Sequence, residues 1–389
     1  MTHTIAPLAG LTVLEVGVFM AGPFATMQLA DLGARVIKIE NPVGGDQTRE
    51  TGPYVNGESA PFALLNRNKE SVTIDLKSDE GKQQMWRLLE QVDVLVENLR
   101  PGALTRLGFG YDAVSARVPK LIYASGSGWG QDGPLAQDPG LDIMAQARSG
   151  MMSVTGHPGM PPAKIGVPVC DLTTGLYLAL AVTAATRERD RSGRGQHIDI
   201  SLLESAVSLS VWEAAGYFIN GTVNGPLGSA HAHQAPYQAL QCSDGWATVG
   251  ANTEKLWRQL AAGLGVSELI DDPRFSSGPL RVAHRAELAE LLERRTSRMT
   301  VDEVVAAAIA AGVPSAPILD YSQVFNDEHL LARSYFWEAP HPVMGKVRQL
   351  GSPMRFSRTP VVREHAGPVL GADTDRVFAE FDVLEASRV

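Results

Sequence analysis

Cysteine is scarce: 389 residues carry only Cys170 and Cys242. Two thiols cannot build a disulfide framework or a thiolate metal cage, which points to a reducing compartment and to packing roles for both. No basic-then-apolar leader, no lipidation signal and no apolar stretch near the roughly 20 residues of a bilayer span is visible, so the expectation is a cytoplasmic protein with no membrane partner. Positive charge is also in short supply, with 34 Lys and Arg against 43 Asp and Glu and a formal charge of −9. That balance argues against a general affinity for nucleic acid but leaves room for a small anion held by a local basic patch or by backbone N–H groups. A G-x-S-x-G elbow is missing as well, so a hydrolase triad has no obvious nucleophile.

What is present reads as α/β. With 44% hydrophobic residues the chain can bury a large core, and its length favours two domains. The β-rich Leu11–Gly17 is followed by the turn Ala21–Pro23, a helix over Phe24–Leu32 and the strand Arg35–Glu40. A second unit runs through Ser71–Asp75, a helix over Ser78–Glu90 and Val92–Glu97, and Leu121–Ser125 completes a third strand–helix–strand passage. Repeated strand–helix–strand passages predict a parallel sheet covered by helices. A helix over Ala206–Phe218 precedes a change of texture near residue 220, then come a strand at Trp246–Gly250 and helices over 254–264, 283–296 and 301–311. The expected layout is 1–220 as large domain, 221–325 as small domain and a loop-rich return segment over 326–389.

Several motifs invite chemistry. The cluster Gly126–Gly133 follows a strand, but Gln131 takes the third glycine place of a dinucleotide fingerprint and Pro134 and Pro139 interrupt the helix that should follow. It reads better as a loop that lets a ligand near the backbone. His231 and His233 lack a third ligand, so a metal site is not expected. Asp373 and Asp375 suit a helix N-terminus. Lys38, Arg49, Arg67, Lys69, Lys77, Arg100 and Arg106 read as solvated surface by default, although several follow strands, where an α/β sheet puts its ligand crevice. Asp171 follows the β-like Val167–Cys170 and heads an apolar helix expected over Leu172–Thr186. Taken alone, it is an N-cap.

The ordered strings Leu8–Glu15, Ala21–Pro23, Leu32–Glu40, Gly45-Asp46 with Arg49, Leu65–Lys69, Val96–Asn98 with Pro101–Leu104, Gly128–Pro134, Gly193–Gln196 and Ala235–Tyr237 give the chain a resemblance to the class III CoA-transferases. That family includes formyl-CoA transferase, carnitine CoA-transferase and α-methylacyl-CoA racemase. The resemblance implies a Rossmann-like large domain built from both chain ends, a smaller α+β domain and an interlocked homodimer. It also implies that Asp171 is the nucleophile, forming an anhydride with the acyl group and then a thioester with coenzyme A, without metal or redox cofactor. A carboxylate at a helix start would be held ionised and would need no base beside it, and Gly175 would let substrate approach. Family correspondence assigns Ile74, Lys77, Asn98 and Arg106 to CoA; Arg49 and Arg67 are candidate partners for substrate carboxylates or phosphates. The glycine loop after Ser125 and the turn after Met20 are candidate oxyanion donors.

Two departures from the family narrow the reading. The racemases carry a His before the acid that matches Asp142, where this chain has Leu141, and leucine cannot move a proton. The glycine-rich loop of formyl-CoA transferase is replaced by Gly228–Tyr237 with His231, His233, Gln234 and Tyr237, which favours a polar dicarboxylate acceptor with succinyl-CoA as donor. A racemase, a nicotinamide-dependent dehydrogenase and a non-catalytic CoA-binding protein are the competing readings. Asp142 itself reads as a supporting acid or a helix cap.

Overall fold

The computed structural model describes residues 6–386. The chain divides into two compact units: one comprises the described residues up to Met151, Lys164–Trp212 and the described residues from His329, and the other comprises Met152–Ala163 and Glu213–Glu328.

The first unit is built on six parallel strands, β1 Thr12–Val16, β2 Arg35–Glu40, β3 Lys69–Thr73, β4 Val94–Glu97, β5 Ile122–Ser127 and β6 His197–Ser201, in the spatial order 3-2-1-4-5-6. Strand order reverses beside β1, which pairs with β2 on one side and β4 on the other. The helices that matter to the site are α1 Ala21–Asp31, α2 Asp79–Leu89, α3 Asp142–Arg148, α4 Val169–Ser192 and α5 Leu202–Val207. A parallel sheet with both faces covered buries successive strand residues, and period-two alternation sorts them. Leu14, Ile37, Val72 and Leu95 pack with Met85 and Leu88 of α2 and with Phe381 of the helix Thr374–Ala386. Val13, Val36, Val94 and Ile122 meet Leu29 of α1 and Leu178 and Val182 of α4 on the other face.

Helix starts differ from expectation for identifiable reasons. Ser78 caps α2 through the N–H of Gly81, as its sequence suggests. Ala21–Pro23, expected as a turn, is the first turn of α1, where proline forfeits no helical hydrogen bond. No strand forms over Val167–Cys170; α4 begins at Val169 and runs 24 residues. By length and composition α4 could cross a membrane, which corrects the expectation that no such stretch exists. Its Leu178, Ala179, Val182 and Ala185 are instead buried in the core of the first unit. A Cβ at Gly175 would lie 2.9 Å from the Ala21 carbonyl oxygen and 2.9 Å from the Phe24 ring. Gly175 therefore serves the close approach of α4 to α1, not the approach of substrate.

The second unit has an antiparallel sheet of Tyr237–Gln241, Trp246–Gly250 and Ser315–Pro317, with helices Glu254–Gly263, Arg285–Thr296 and Val301–Ala310. Trp257, Leu260, Phe275, Leu292 and Val304 form its core. The expected helix Ala206–Phe218 is interrupted, giving α5 and a separate helix Val211–Asn220. The C-terminal segment is less loop-rich than its prolines and glycines suggest: Phe336–His341 pairs with Gly345–Leu350, and the helix Thr374–Ala386 returns to the first unit.

The basic residues of the first 70 positions do not behave as surface. Glu15 on β1 is fully buried between Lys38 on β2, at 2.6 Å, and Lys69 on β3, at 2.8 Å. Burial alone would raise the Glu15 carboxyl, but the two ammonium groups outweigh it and hold it at about 2. Asp46 adds a second anion 2.8 Å from Lys38. Arg49 grips Glu40 with two hydrogen bonds of 2.7 Å, and Arg67 grips Asp31 at 2.9 and 2.6 Å. These internal pairs correct the expectation that Arg49 and Arg67 face substrate. A bidentate guanidinium–carboxylate pair already uses the fork that would recognise an anion.

Candidate active site

A doubly wound sheet opens a crevice at its carboxyl edge where the strand order reverses. Here that point lies between β1 and β4, and Asn98, the first residue after β4, occupies it. Its carboxamide accepts the N–H of Val18 at 2.9 Å and donates to the Val18 carbonyl at 2.9 Å. A Cβ at Gly17 or Gly22 would come within 2.8 Å of the Asn98 oxygen, which explains the glycine that follows β1 and the one in the first turn of α1. Beside this clamp lies a cavity of about 250 Å³ lined by Gly17, Val18, Ile74, Lys77, Leu99 and Leu107 among others.

The four residues matched to CoA contacts fall unevenly around the cavity. Ile74 and Lys77 line it, with Ile74 nearly buried and the Lys77 side chain exposed. Asn98 acts behind its wall, through Val18. Arg106 is exposed on the short helix Ala103–Leu107, one residue from the lining Leu107.

Asp171 sits in the first turn of α4, and its N-cap position is held by Pro168 with no side-chain cap. The cap comes from elsewhere. Asp142, in the first turn of α3, accepts the N–H groups of Cys170 at 2.8 Å and Asp171 at 3.3 Å through one oxygen, and Gln146 donates to the other at 2.6 Å. Cys170 packs with Ala21, the first residue of α1, and with Leu202 and Ala206 of α5. The starts of α1 and α4 therefore meet, and two helix N-termini favour negative charge between them. Yet burial, and then the Asp142 charge, push the Asp171 carboxyl up to about 7. Loss of water and a like charge thus act against the ionised form that the helix start favours.

Leu141, which stands where the racemases have His, is the exposed N-cap residue of α3. The glycine loop folds back so that Gly128 and Gly140 leave no space for a side chain at either position. Within it the N–H of Gly130 is held by the Ser127 hydroxyl, and that of Gln131 by Asp199, both at 2.9 Å. Those two donors are already engaged.

Some residues of this region carry no local sequence signal. Phe19 adopts φ 57°, and its N–H donates to Asp46 at 3.2 Å; a left-handed aromatic residue at the crevice marks a constrained connection. Glu97, Ser125 and His197 converge from three adjacent strands on a second cavity of about 380 Å³. Register places Glu97 opposite Ser125, and Ser125 Oγ lies 3.0 Å from His197 Nε2. Only knowledge of strand order brings these three together.

In the second unit, His231 and His233 lie on a loop, not a strand. His231 Nδ1 accepts the N–H of His233 at 3.1 Å, the His231 ring packs 5.2 Å from Tyr237, and Arg285 donates to the carbonyls of His231 and Ala232.

A doubly wound parallel sheet with a crevice at its reversal point and an acid-bearing helix start is the build of an α/β enzyme for nucleotide-linked substrates. The chain belongs to CoA-transferase family III, whose model matches residues 8–374. It is 36% identical over 378 residues to a mouse (Mus musculus) succinyl-CoA:glutarate CoA-transferase, covering 97% of this chain and 87% of the relative. To a succinate–glutarate CoA-transferase of Agrobacterium fabrum it is 36% identical over 392 residues, covering 99% and 98%. A crystal structure of a CaiB/BaiF family protein from Brucella suis superposes with a TM-score of 0.88 at 37% identity, covering 97% of this chain and 100% of that one. The chain is thus a class III CoA-transferase.

Proposed function

We propose that this enzyme moves CoA from succinyl-CoA to a short dicarboxylate of the glutarate type, with Asp171 as nucleophile. The Asp171 carboxylate attacks the thioester carbonyl; the carbon–sulfur bond breaks, leaving a mixed anhydride and CoA thiolate. The thiolate attacks the aspartyl carbonyl, releasing the donor acid and forming an aspartyl-CoA thioester. An acceptor carboxylate attacks that thioester and frees the thiolate again, which then takes the acceptor acyl group and regenerates Asp171. No net proton is transferred, so the required state is the ionised carboxylate.

The observation that carries this reading is the Asp171 carboxyl in the first turn of α4, beside the start of α1. Lys77 suits a CoA phosphate, and Ile74 with Leu99 suits an apolar portion of the carrier. The names of the two relatives, a succinyl-CoA:glutarate and a succinate–glutarate CoA-transferase, support the donor and acceptor class. We further propose a homodimer, supported by the helix Val211–Asn220, which buries none of its residues and leaves Trp212 74%, Phe218 79% and Ile219 85% exposed.

The test is peptide mass spectrometry after incubation with succinyl-CoA and hydroxylamine, alongside turnover with glutarate. A hydroxamate at residue 171, with no turnover in Asp171→Ala, is expected. Normal transfer by that variant overturns the mechanism.

A further inference from the structure

Glu97 ends β4 and is buried, yet it has no ion-pair partner among the described residues. Its carboxyl accepts the N–H of Leu99 at 2.9 Å, and strand register sets Ser125 opposite it. His197 stands 3.0 Å behind Ser125 and stacks on Tyr111, ring centroids 4.9 Å apart.

The segment held this way lies between two empty spaces. Leu99 lines the 250 Å³ crevice, whereas Glu97 and Arg100 line the 380 Å³ cavity. Leu99 packs against the core, and the hydrogen bond from its N–H to the buried Glu97 carboxyl adds the directional restraint that apolar packing lacks. The residue inside the turn is Asn98, which clamps Val18.

We propose that Glu97 is a positioning residue for the CoA crevice: by holding the Leu99 N–H, with Ser125 behind it, it fixes the turn that presents Asn98 to Val18. The inference rests on the reading of that crevice as the CoA site. Protonation state is not its basis. The other titratable and charged groups around Glu97 are His197 and Asp199 of β6, Tyr123 of β5, Asp112 of the helix Tyr111–Arg117 and Arg100.

The experiment uses the full chain and measures free CoA binding by calorimetry together with kcat for succinyl-CoA and glutarate. Glu97→Ala should weaken CoA binding about tenfold and change kcat less than about threefold. Glu97→Gln retains an acceptor for Leu99 and should restore binding to within about threefold of wild type. Should Glu97→Ala fail to fold, Ser125→Ala carries the test, with an expected loss of about threefold in CoA binding. Unchanged binding in Glu97→Ala or Ser125→Ala, or equal losses in Glu97→Ala and Glu97→Gln, overturns the proposal. Asn98→Ala separates the two levels: if it binds CoA normally the crevice reading itself fails, and if it binds poorly while Glu97→Ala binds normally only this inference fails.

Discussion

Asp142 both caps the helix that carries Asp171 and opposes the ionisation of Asp171. The same oxygen that accepts the N–H groups of Cys170 and Asp171 brings a like charge to the neighbouring carboxyl. One residue thereby fixes the position of the proposed nucleophile and adds to the rise that burial causes in its carboxyl.

The pH dependence of kcat/KM should follow from this pairing. Because burial and Asp142 push Asp171 up to about 7, activity should rise with pH and level off above that value. Asp142→Asn keeps an oxygen acceptor and removes the charge, so the rising limb should move to lower pH by about half to one unit. Rate profiles between about pH 5 and pH 9 check both; an unmoved limb means the Asp142 charge is not felt.

Stability should respond to Asp171 in the opposite sense to activity. Its folded value lies above the unfolded 3.8, so the folded state holds this proton more tightly. The associated stability is complete below about pH 4 and is lost as pH rises through about 7. Asp171→Asn should therefore be more stable than wild type at about pH 8, by about 1–3 kcal/mol after discounting partial exposure, while losing at least about a thousandfold in turnover. Urea melts at about pH 5 and pH 8 give the comparison, and equal stability at both values contradicts it.

The buried triad of Glu15, Lys38 and Lys69 should be expensive to break. Removing one member leaves an uncompensated charge in the core, so Glu15→Gln or Lys38→Met should cost about 3–5 kcal/mol. The exposed pair Arg117–Glu90 is the contrast, and Arg117→Ala should cost less than about 1 kcal/mol. Chemical denaturation distinguishes the two.

Lys77 and Arg49 should separate binding from stability. Lys77→Ala is expected to raise KM for acyl-CoA by about tenfold and to flatten its salt dependence. Arg49→Ala should instead lower stability and leave that KM within about twofold, because its guanidinium is spent on Glu40.

The exposed helix Val211–Asn220 predicts association. Replacing Trp212 and Phe218 together by Ser should shift light-scattering mass from two chains to one; an unchanged dimer mass places the interface elsewhere.

The sheet was legible because its strands are short Val- and Ile-rich runs, and Arg35–Glu40 falls where the sequence puts it. Asp171 was legible as an acid heading an apolar run, but not the start of α4: its cap is the side chain of Asp142, 28 positions before Cys170. The fate of the basic residues was hidden for a similar reason. Nothing local to Lys38 says that strand register will set it against Glu15, nor that Lys69, in register with Val36 on the next strand, will reach the same carboxylate. Arg49 does have Glu40 nine positions earlier, but a loop separates them, and no periodic rule predicts that closure. Glu97, Ser125 and His197 became a group only once β4, β5 and β6 were known to be neighbours.

Gly175 gives α4 an unusual liability. A rod of 24 residues carries the proposed nucleophile in its first turn and is seated on α1 through a contact that tolerates no added carbon. A Gly175→Ala enzyme would have to lift the rod from its seat, displacing the tip while leaving every polar group of the crevice chemically intact. Inactivating changes need not touch the reacting atoms; the hydrophobic interior keeps the aim.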